Sequence, residues 1–378
     1  MEEGLVDWSD LPPELWPKIG KCLRNRIDVL RFRSVCKLWR SSLPPTNPNS
    51  PSFPLQIPYP LSSSVSSNLI EATFYRIEPS PPHETPSSSS SSSSSSPKGW
   101  LIKVQSSPSM RLLHPLSNRQ LMNPSPNSPN LWNLLNYRVI ELHKSYTLQK
   151  FSHLAGAVNK VVFFPSSSSW VADIEDSVAC CIYLEGKLGF MKYGDENWTL
   201  VDDKNSYYDD IIMYKGQIYV TDRWGTISWL DISSLKLLQF TPPLCGFGNK
   251  KHLVESCGNL YVVDRYYERE LPRNRRRNYH LHLDQYAVVE DFKVYKLDED
   301  WGTWVDVKNL GDRVFVLASD CSFSVSAKEF YGFKGNCIFF TDFFDVRVYN
   351  LNDQSIVPFE ADPSSPQLFW PPPPWLRV

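Results

Sequence analysis

Five groups of side chains in this sequence have residue types and spacing that bear on chemistry. Asp222, Asp264 and Asp342 each close an apolar stretch that begins at a glycine: Gly216-Gln217-Ile218-Tyr219-Val220-Thr221-Asp222, Gly258-Asn259-Leu260-Tyr261-Val262-Val263-Asp264 and Gly335-Asn336-Cys337-Ile338-Phe339-Phe340-Thr341-Asp342. Carboxylates gathered at strand ends could act as the acid and base of glycoside hydrolysis. Their recurrence at equivalent repeat positions is explained more economically by the capping of turns. The second group is six arginines between Arg265 and Arg277, set against Glu268 and Glu270, a local charge of +4. Within it Arg273, Arg275, Arg276 and Arg277 form a candidate basic patch, because clustered guanidinium groups match phosphate geometry. No aromatic stacking platform accompanies it, so a solvated insertion is the simpler reading and nucleic acid is not the expected partner.

His280 and His282, two positions apart, would share one face of a strand and could ligate a metal, but no third ligand has a suitable spacing. The eight cysteines (22, 36, 180, 181, 245, 257, 321 and 337) contain no C-x-x-C pair and read as reduced thiols. Several Ser-Pro and Thr-Pro pairs, at Ser50, Thr85, Ser107, Ser125, Ser128, Thr241 and Ser365, could accept proline-directed phosphorylation, a pattern that Pro/Ser-rich composition produces unaided. There is no G-x-S-x-G, H-E-x-x-H or Walker-type loop. These absences point to a non-catalytic protein with no metal or other cofactor.

The elements that must position these groups follow from composition. The chain has 378 residues, Lys+Arg 39 against Asp+Glu 41, and a net charge of −2, so an anionic partner would need a local patch. Aromatic residues make up 13%, with 31 Pro and only 16 Gly, which suits short aromatic-rich strands joined by proline-bearing loops. The longest apolar run, Val178 to Leu184, is far below the roughly 18 residues of a spanning helix, so no membrane association is expected. The acidic start Met1-Glu2-Glu3-Gly4 does not read as a secretory signal, and residence in the nucleus, the cytoplasm or both is expected.

Three regions differ in composition: a helical head over 1–45, a Pro/Ser-rich connector over 46–97 and a β-rich body over 98–378. In the head, Leu15, Ile19 and Leu23 recur every four residues and form one stripe of a helix begun at Pro12-Pro13. Asp28 reads as the N-cap of a second helix carrying Val29, Phe32, Val35, Cys36 and Trp39, and Ser34 could open a third. A unit this small covers little apolar surface alone and calls for support from a partner or the body. The connector holds ten serines, Ser87 to Ser96, expected to be disordered, and a strand near 72–77 (Ala-Thr-Phe-Tyr-Arg-Ile), so the serines read as a loop between strands.

The body repeats a unit: a turn glycine, an apolar strand ending in Asp, a second strand ending in Leu plus Asp or Asn, and in two copies a Trp-centred strand, Trp198 to Val201 and Trp304 to Val307. Glu185-Gly186-Lys187-Leu188-Gly189-Phe190 is a weaker copy. Repeated hairpins of this kind read as propeller blades. The fold class is therefore mainly β, a β-propeller of five to six blades, six favoured, behind a small three-helix domain. A β-sandwich with long loops is the architectural alternative.

Trp8-Ser9-Asp10-Leu11-Pro12-Pro13-Glu14-Leu15, with Ile19 and Leu23, and then Asp28 through Arg40 with its Arg31-Phe32-Arg33-Ser34-Val35-Cys36-Lys37-Leu38-Trp39-Arg40 run, resembles an F-box. The body resembles the KIB-type propeller attached to F-boxes in a large plant family, on Trp198-Thr199-Leu200-Val201, Asp210 to Gly216, His252 to Leu260, Phe292 to Asp298, Ser324 to Ala327 and Gly335 to Asp342. The ten-serine insertion, the arginine-rich insertion and the proline-rich ending Phe369 to Leu376 depart from that pattern. The resemblance implies a substrate-recognition subunit of a Skp–cullin–F-box ubiquitin ligase, whose propeller binds a client protein. It implies that Leu11, Pro12, Leu15, Ile19, Leu23, Leu30, Val35 and Trp39 meet the Skp-type adaptor or support that contact, and that cullin and RING subunits follow through the adaptor. Val29, Phe32, Val35 and Trp39 could equally close the head's own core. The competing reading is a nuclear regulator or scaffold that uses the propeller and the basic loop without ligase assembly.

Overall fold

A computed structural model describes residues 11–23, 26–43, 51–79, 97–105, 108–120, 137–149, 158–164, 174–205, 207–244, 246–268, 288–342 and 345–359. The serine run, the histidines at 280 and 282, and the proline-rich ending lie outside the described residues.

The head has three helices, α1 (Leu15–Lys21), α2 (Arg26–Val35) and α3 (Lys37–Ser42). The α1 turn opens where Leu15 N–H donates to Pro12 O at 2.9 Å. Two expected boundaries move. Asp28 lies inside the first turn of α2, where its charge suits the helix dipole and holds Arg31 at 3.0 Å, instead of capping the helix. The third helix opens at Lys37, because Cys36 is extended and its Sγ accepts from Trp39 N–H, while Ser34 stays in α2 and donates its hydroxyl to Arg31 O. Trp16, Val29, Phe32 and Leu43 are buried, with Leu11, Ile19, Leu23 and Trp39 packed around them. Trp39 sits between the Trp16 and Phe32 rings at centroid distances of 4.5 and 4.6 Å.

The body is a propeller of five strand units among the described residues, the lower of the two expected counts. The first has the order β5 (Tyr137–Leu148), β2 (Ser62–Pro79), β3 (Trp100–Gln105), β4 (Arg111–Leu113). The second runs β6 (Val158–Phe164), β7 (Val178–Tyr183), β8 (Lys187–Lys192), β9 (Thr199–Leu200), and joins the first through one residue pair, Tyr146 opposite Val161. The third is β10 (Tyr208–Tyr214), β11 (Gln217–Asp222), β12 (Ile227–Asp231), β13 (Lys236–Gln239), and the fourth β14 (Lys250–Ser256), β15 (Asn259–Tyr267), β16 (Val289–Asp298), β17 (Thr303–Val307). The fifth has the order β19 (Ser322–Ser326), β18 (Arg313–Leu317), β20 (Cys337–Asp342), β21 (Asp345–Asn350), β22 (Ser355–Pro358).

Local chemistry sets the hairpins. Lys215-Gly216 and Cys257-Gly258 are two-residue turns with positive φ at both positions (46° and 79°; 52° and 76°), the turn whose twist matches paired strands. Gly335 does something else. β20 pairs parallel with β18, so Gly335 closes no hairpin; a Cβ there would lie 2.5 Å from Gly311 O, and the position is a close approach of two backbones.

The strand read at 72–77 is not a connector element. It is the centre of β2, paired on one side with β3 and on the other with β5, so the propeller takes in chain well before residue 98. The first half of β2 pairs with β1 (Leu55–Tyr59) and packs Leu55, Ile57 and Leu69 on the second blade beside Phe163 and Cys181. The first and fifth blades close the ring through a shared core in which Phe74 meets Phe323 at 4.7 Å. No helix among the described residues is long and apolar enough to cross a membrane.

Candidate functional site

The strands β5, β6, β10, β14 and β19 surround a central channel of about 1170 Å³. Its two ends differ. At one end lie the turns that follow β10 and β14, with Gly216 and Cys257, and here Cys22 and Leu23 of the head line the mouth beside Glu141 and Glu329. The same end holds the turn of Glu299, which pairs with Lys215 at 2.6 Å and accepts from the Tyr214 hydroxyl, and the exposed Trp301 next to it.

The opposite end carries the connections that enter the inner strands. Tyr207 precedes β10, Trp224 sits in the β11–β12 turn and Phe247 precedes β14. Arg223 N–H donates to Tyr207 O at 2.9 Å and Leu244 N–H to Trp224 O at 3.1 Å, which ties these connections together. Tyr207 and Trp224 meet edge to face at 5.9 Å, with the Arg223 guanidinium 5.2 Å over the Tyr207 ring. Trp224 is 53% exposed and Phe247 90% exposed, an outward apolar display that folding alone does not require.

The carboxylates do not converge. Asp222 Oδ1 accepts from Trp224 and Thr226 N–H at 2.9 Å each, the turn-capping role. Asp264 is fully buried, pairs with buried Lys251 at 2.7 Å and accepts from Gly248 N–H. Asp342 stands 3.5 Å from Arg347, and burial raises its carboxyl above the ordinary range against the pull of Arg347 and Arg265. Three carboxylates spent on three separate local tasks offer no acid and base pair.

Of the arginine group, Arg265 is described: it donates to Thr341 O at 2.9 Å and lies over the rings of Tyr267, Phe292 and Phe340, an inter-strand packing role. Arg273, Arg275, Arg276 and Arg277 lie outside the described residues. The ends of their connection pair, Glu268 N–H to Val288 O at 2.9 Å, at the propeller end away from the head. Among the described residues no cluster of His, Cys, Asp and Glu could hold a metal ion. Thr241 is buried and its hydroxyl accepts from Ile227 N–H at 3.0 Å, so this Thr-Pro pair is not open to a kinase in the folded chain.

The eight head residues divide. Pro12, Leu30 and Val35 are exposed; Leu11, Leu15, Ile19, Leu23 and Trp39 are half-buried, and all of these but Leu15 pack on the head's own core. Val29 and Phe32 belong to that core, whereas Val35 is 59% exposed. Leu38, 44% exposed, is a surface residue that the sequence reading passed over. Its signal was present: with Trp39 facing inward, the preceding residue, about 100° round the helix, faces out.

A family model described as KIB1-4 beta-propeller matches residues 65–355, which span strands of all five blades. The chain belongs to the KIB1-4 beta-propeller family. Its start at residue 65 agrees with the place of β2 inside the propeller. Similar proteins from Arabidopsis thaliana extend the likeness over the head of this KIB1-4 propeller protein. F-box protein SKIP23 is 31% identical, covering 98% of this chain and 96% of its own. F-box protein At4g35733 is 31% identical over 94% of each, and F-box protein At2g26160 is 32% identical over 89% of this chain and 96% of its own. The Leu-Pro-x-Glu-Leu and Val-Cys-Lys-x-Trp-Arg residues of the head therefore belong to an F-box preceding a KIB1-4 propeller.

Proposed function

We propose that this protein is the client-recognition subunit of a Skp–cullin–F-box ubiquitin ligase. It makes no bonds itself. It holds a client so that a ubiquitin-conjugating enzyme, brought by cullin and RING subunits, meets the client's lysines at high effective concentration. The observation that carries the reading is the head: three short helices with one small core that leave Leu30, Val35 and Leu38 uncovered. Exposed apolar side chains on so small a unit suit a helical adaptor of the Skp type.

The propeller end away from the head is the client side, supported by the exposed Trp224 and Phe247 and by connections whose sequence can vary while the blades stay fixed. The protein acts in the nucleus, the cytoplasm or both. The test is a reconstituted ligase assembled with a purified plant Skp adaptor, cullin, RING protein, ubiquitin and the activating and conjugating enzymes, with proteins captured by the propeller as substrate. Ubiquitin transfer that needs both the chain and its intact head supports the reading; transfer indifferent to the chain overturns it.

A further inference from the structure

The head and the propeller touch at a defined place. Arg31 Nη1 is held by Asp28 Oδ1 at 3.0 Å, one turn earlier on α2, and Arg31 Nη2 donates to Val139 O at 2.6 Å, on the inner strand β5 of the first blade. The planar guanidinium serves both acceptors at once through two nitrogens held in one rigid fork, whereas a lysine would have to direct a single ammonium on a flexible stem at the two. Beside this contact the turn between α1 and α2 presents Cys22 and Leu23 to the channel mouth, with Glu141, Cys257 and Glu329 around them.

We infer that the F-box is latched onto the propeller in the free protein, with Arg31 as the positioning residue and the Cys22-Leu23 turn as a cover over one mouth of the channel. Leu23 is then committed to the propeller side. The adaptor is left with the apolar surface of Pro12, Leu30, Val35 and Leu38, and the client with the opposite propeller end. On the ligase reading proposed above, the latch sets the direction in which the client faces the conjugating enzyme. The docking itself does not depend on that reading.

The protein's own thiols test it. Cys22, Cys36 and Cys257 are exposed and free. Cys22 and Cys257 line the same mouth, whereas Cys36, between α2 and α3, does not. A short bismaleimide added to the full chain, read by mass spectrometry of peptides, should join Cys22 to Cys257 in clear excess over Cys36 to Cys257. Arg31→Ala should lower that ratio roughly tenfold, the loss expected of one charge-assisted hydrogen bond. Arg31→Lys should recover part of it, and neither variant should change the melting temperature of the propeller or binding of a Skp adaptor. Equal bridging of the two pairs in the parent, or a ratio that Arg31→Ala leaves unchanged, overturns the latch. Failure of the parent to bind a Skp adaptor, with the bridging pattern intact, would count against the ligase reading and leave the latch standing.

Discussion

Lys103 and Asp320 lie 217 residues apart in the chain and meet at 2.7 Å, both buried, where the first blade closes against the fifth. Asn118 accepts from the same ammonium. Burial alone would raise the Asp320 carboxyl; the Lys103 charge and its hydrogen bonds hold it below the ordinary range instead. The pair therefore rivets the two ends of the propeller sequence to each other.

Breaking one side of the rivet should cost more than removing both. Lys103→Met leaves a buried carboxylate without its counter-charge and should destabilise the chain by about 3–5 kcal/mol. Adding Asp320→Leu should return most of that loss. Urea unfolding of the three proteins checks it, and a double variant as unstable as the single one would contradict this account of ring closure.

Much of this architecture was legible in the sequence where the signal was local. The turn pairs Lys215-Gly216 and Cys257-Gly258 announced their hairpins, and the four-residue spacing of Leu15 and Ile19 announced α1, but Leu23, read on the same stripe, lies past the helix end at Lys21. Gly335 carried the same local pattern and misled, because parallel pairing of β20 with β18 is decided by chain far away. β2 was half seen: Ala72 to Ile77 has strand composition, whereas Ser62 to Asn68 is polar and takes strand form through β1. The contacts of Lys103 with Asp320 and of Arg31 with Val139 join distant residues, and no spacing in the sequence foretells them. The exposed Trp224 and Phe247 were invisible for the same reason, since exposure belongs to the folded ring.

Acid should weaken the fold through His143. Its imidazole is half-buried on the channel wall, stacked on Phe323 at 5.3 Å, and desolvation with the charges of Lys160 and Lys103 pushes its pKa down to about 4, against the pull of Asp320. Below pH 6.5 the unfolded chain takes up a proton that the folded chain refuses, so stability falls as pH drops from about 6.5 toward 4, by about 3 kcal/mol in all. Asp209, raised to about 6 by burial, works the other way over the same range. Comparison of the parent with His143→Phe cancels that opposing contribution. The variant should gain on the parent steadily as pH falls from 6.5; parallel stability curves would contradict the assignment.

Two glycines should respond differently to alanine. At Gly258 a Cβ meets nothing within 4 Å, so only the positive φ of 76° is lost, a cost of about 1 kcal/mol. At Gly248 a Cβ would collide with the Asp264 carboxylate that Lys251 neutralises in the buried interior, and the cost should be about 3 kcal/mol or more. Thermal unfolding of the two variants gives the order, and the reverse order would show that the Asp264 pair is not fixed.

The two ends of the propeller should separate in capture experiments. Trp224→Ala/Phe247→Ala removes the exposed aromatic groups at the end away from the F-box and should deplete the proteins that co-purify with the full chain, leaving its melting temperature unchanged. Trp301→Ala, 81% exposed at the F-box end, is the matched control and should deplete none of them. Equal depletion by both variants would mean that the client does not choose an end.

The most direct test of the central claim is calorimetric titration of the intact chain with a purified plant Skp adaptor, beside a Leu30→Ala/Val35→Ala/Leu38→Ala variant. All three side chains are exposed, so the variant should fold as the parent does. The account predicts binding by the parent and a loss of roughly a hundredfold or more in the variant, the scale of a removed apolar anchor cluster. A folded parent that gives no heat and no complex with the adaptor would contradict it.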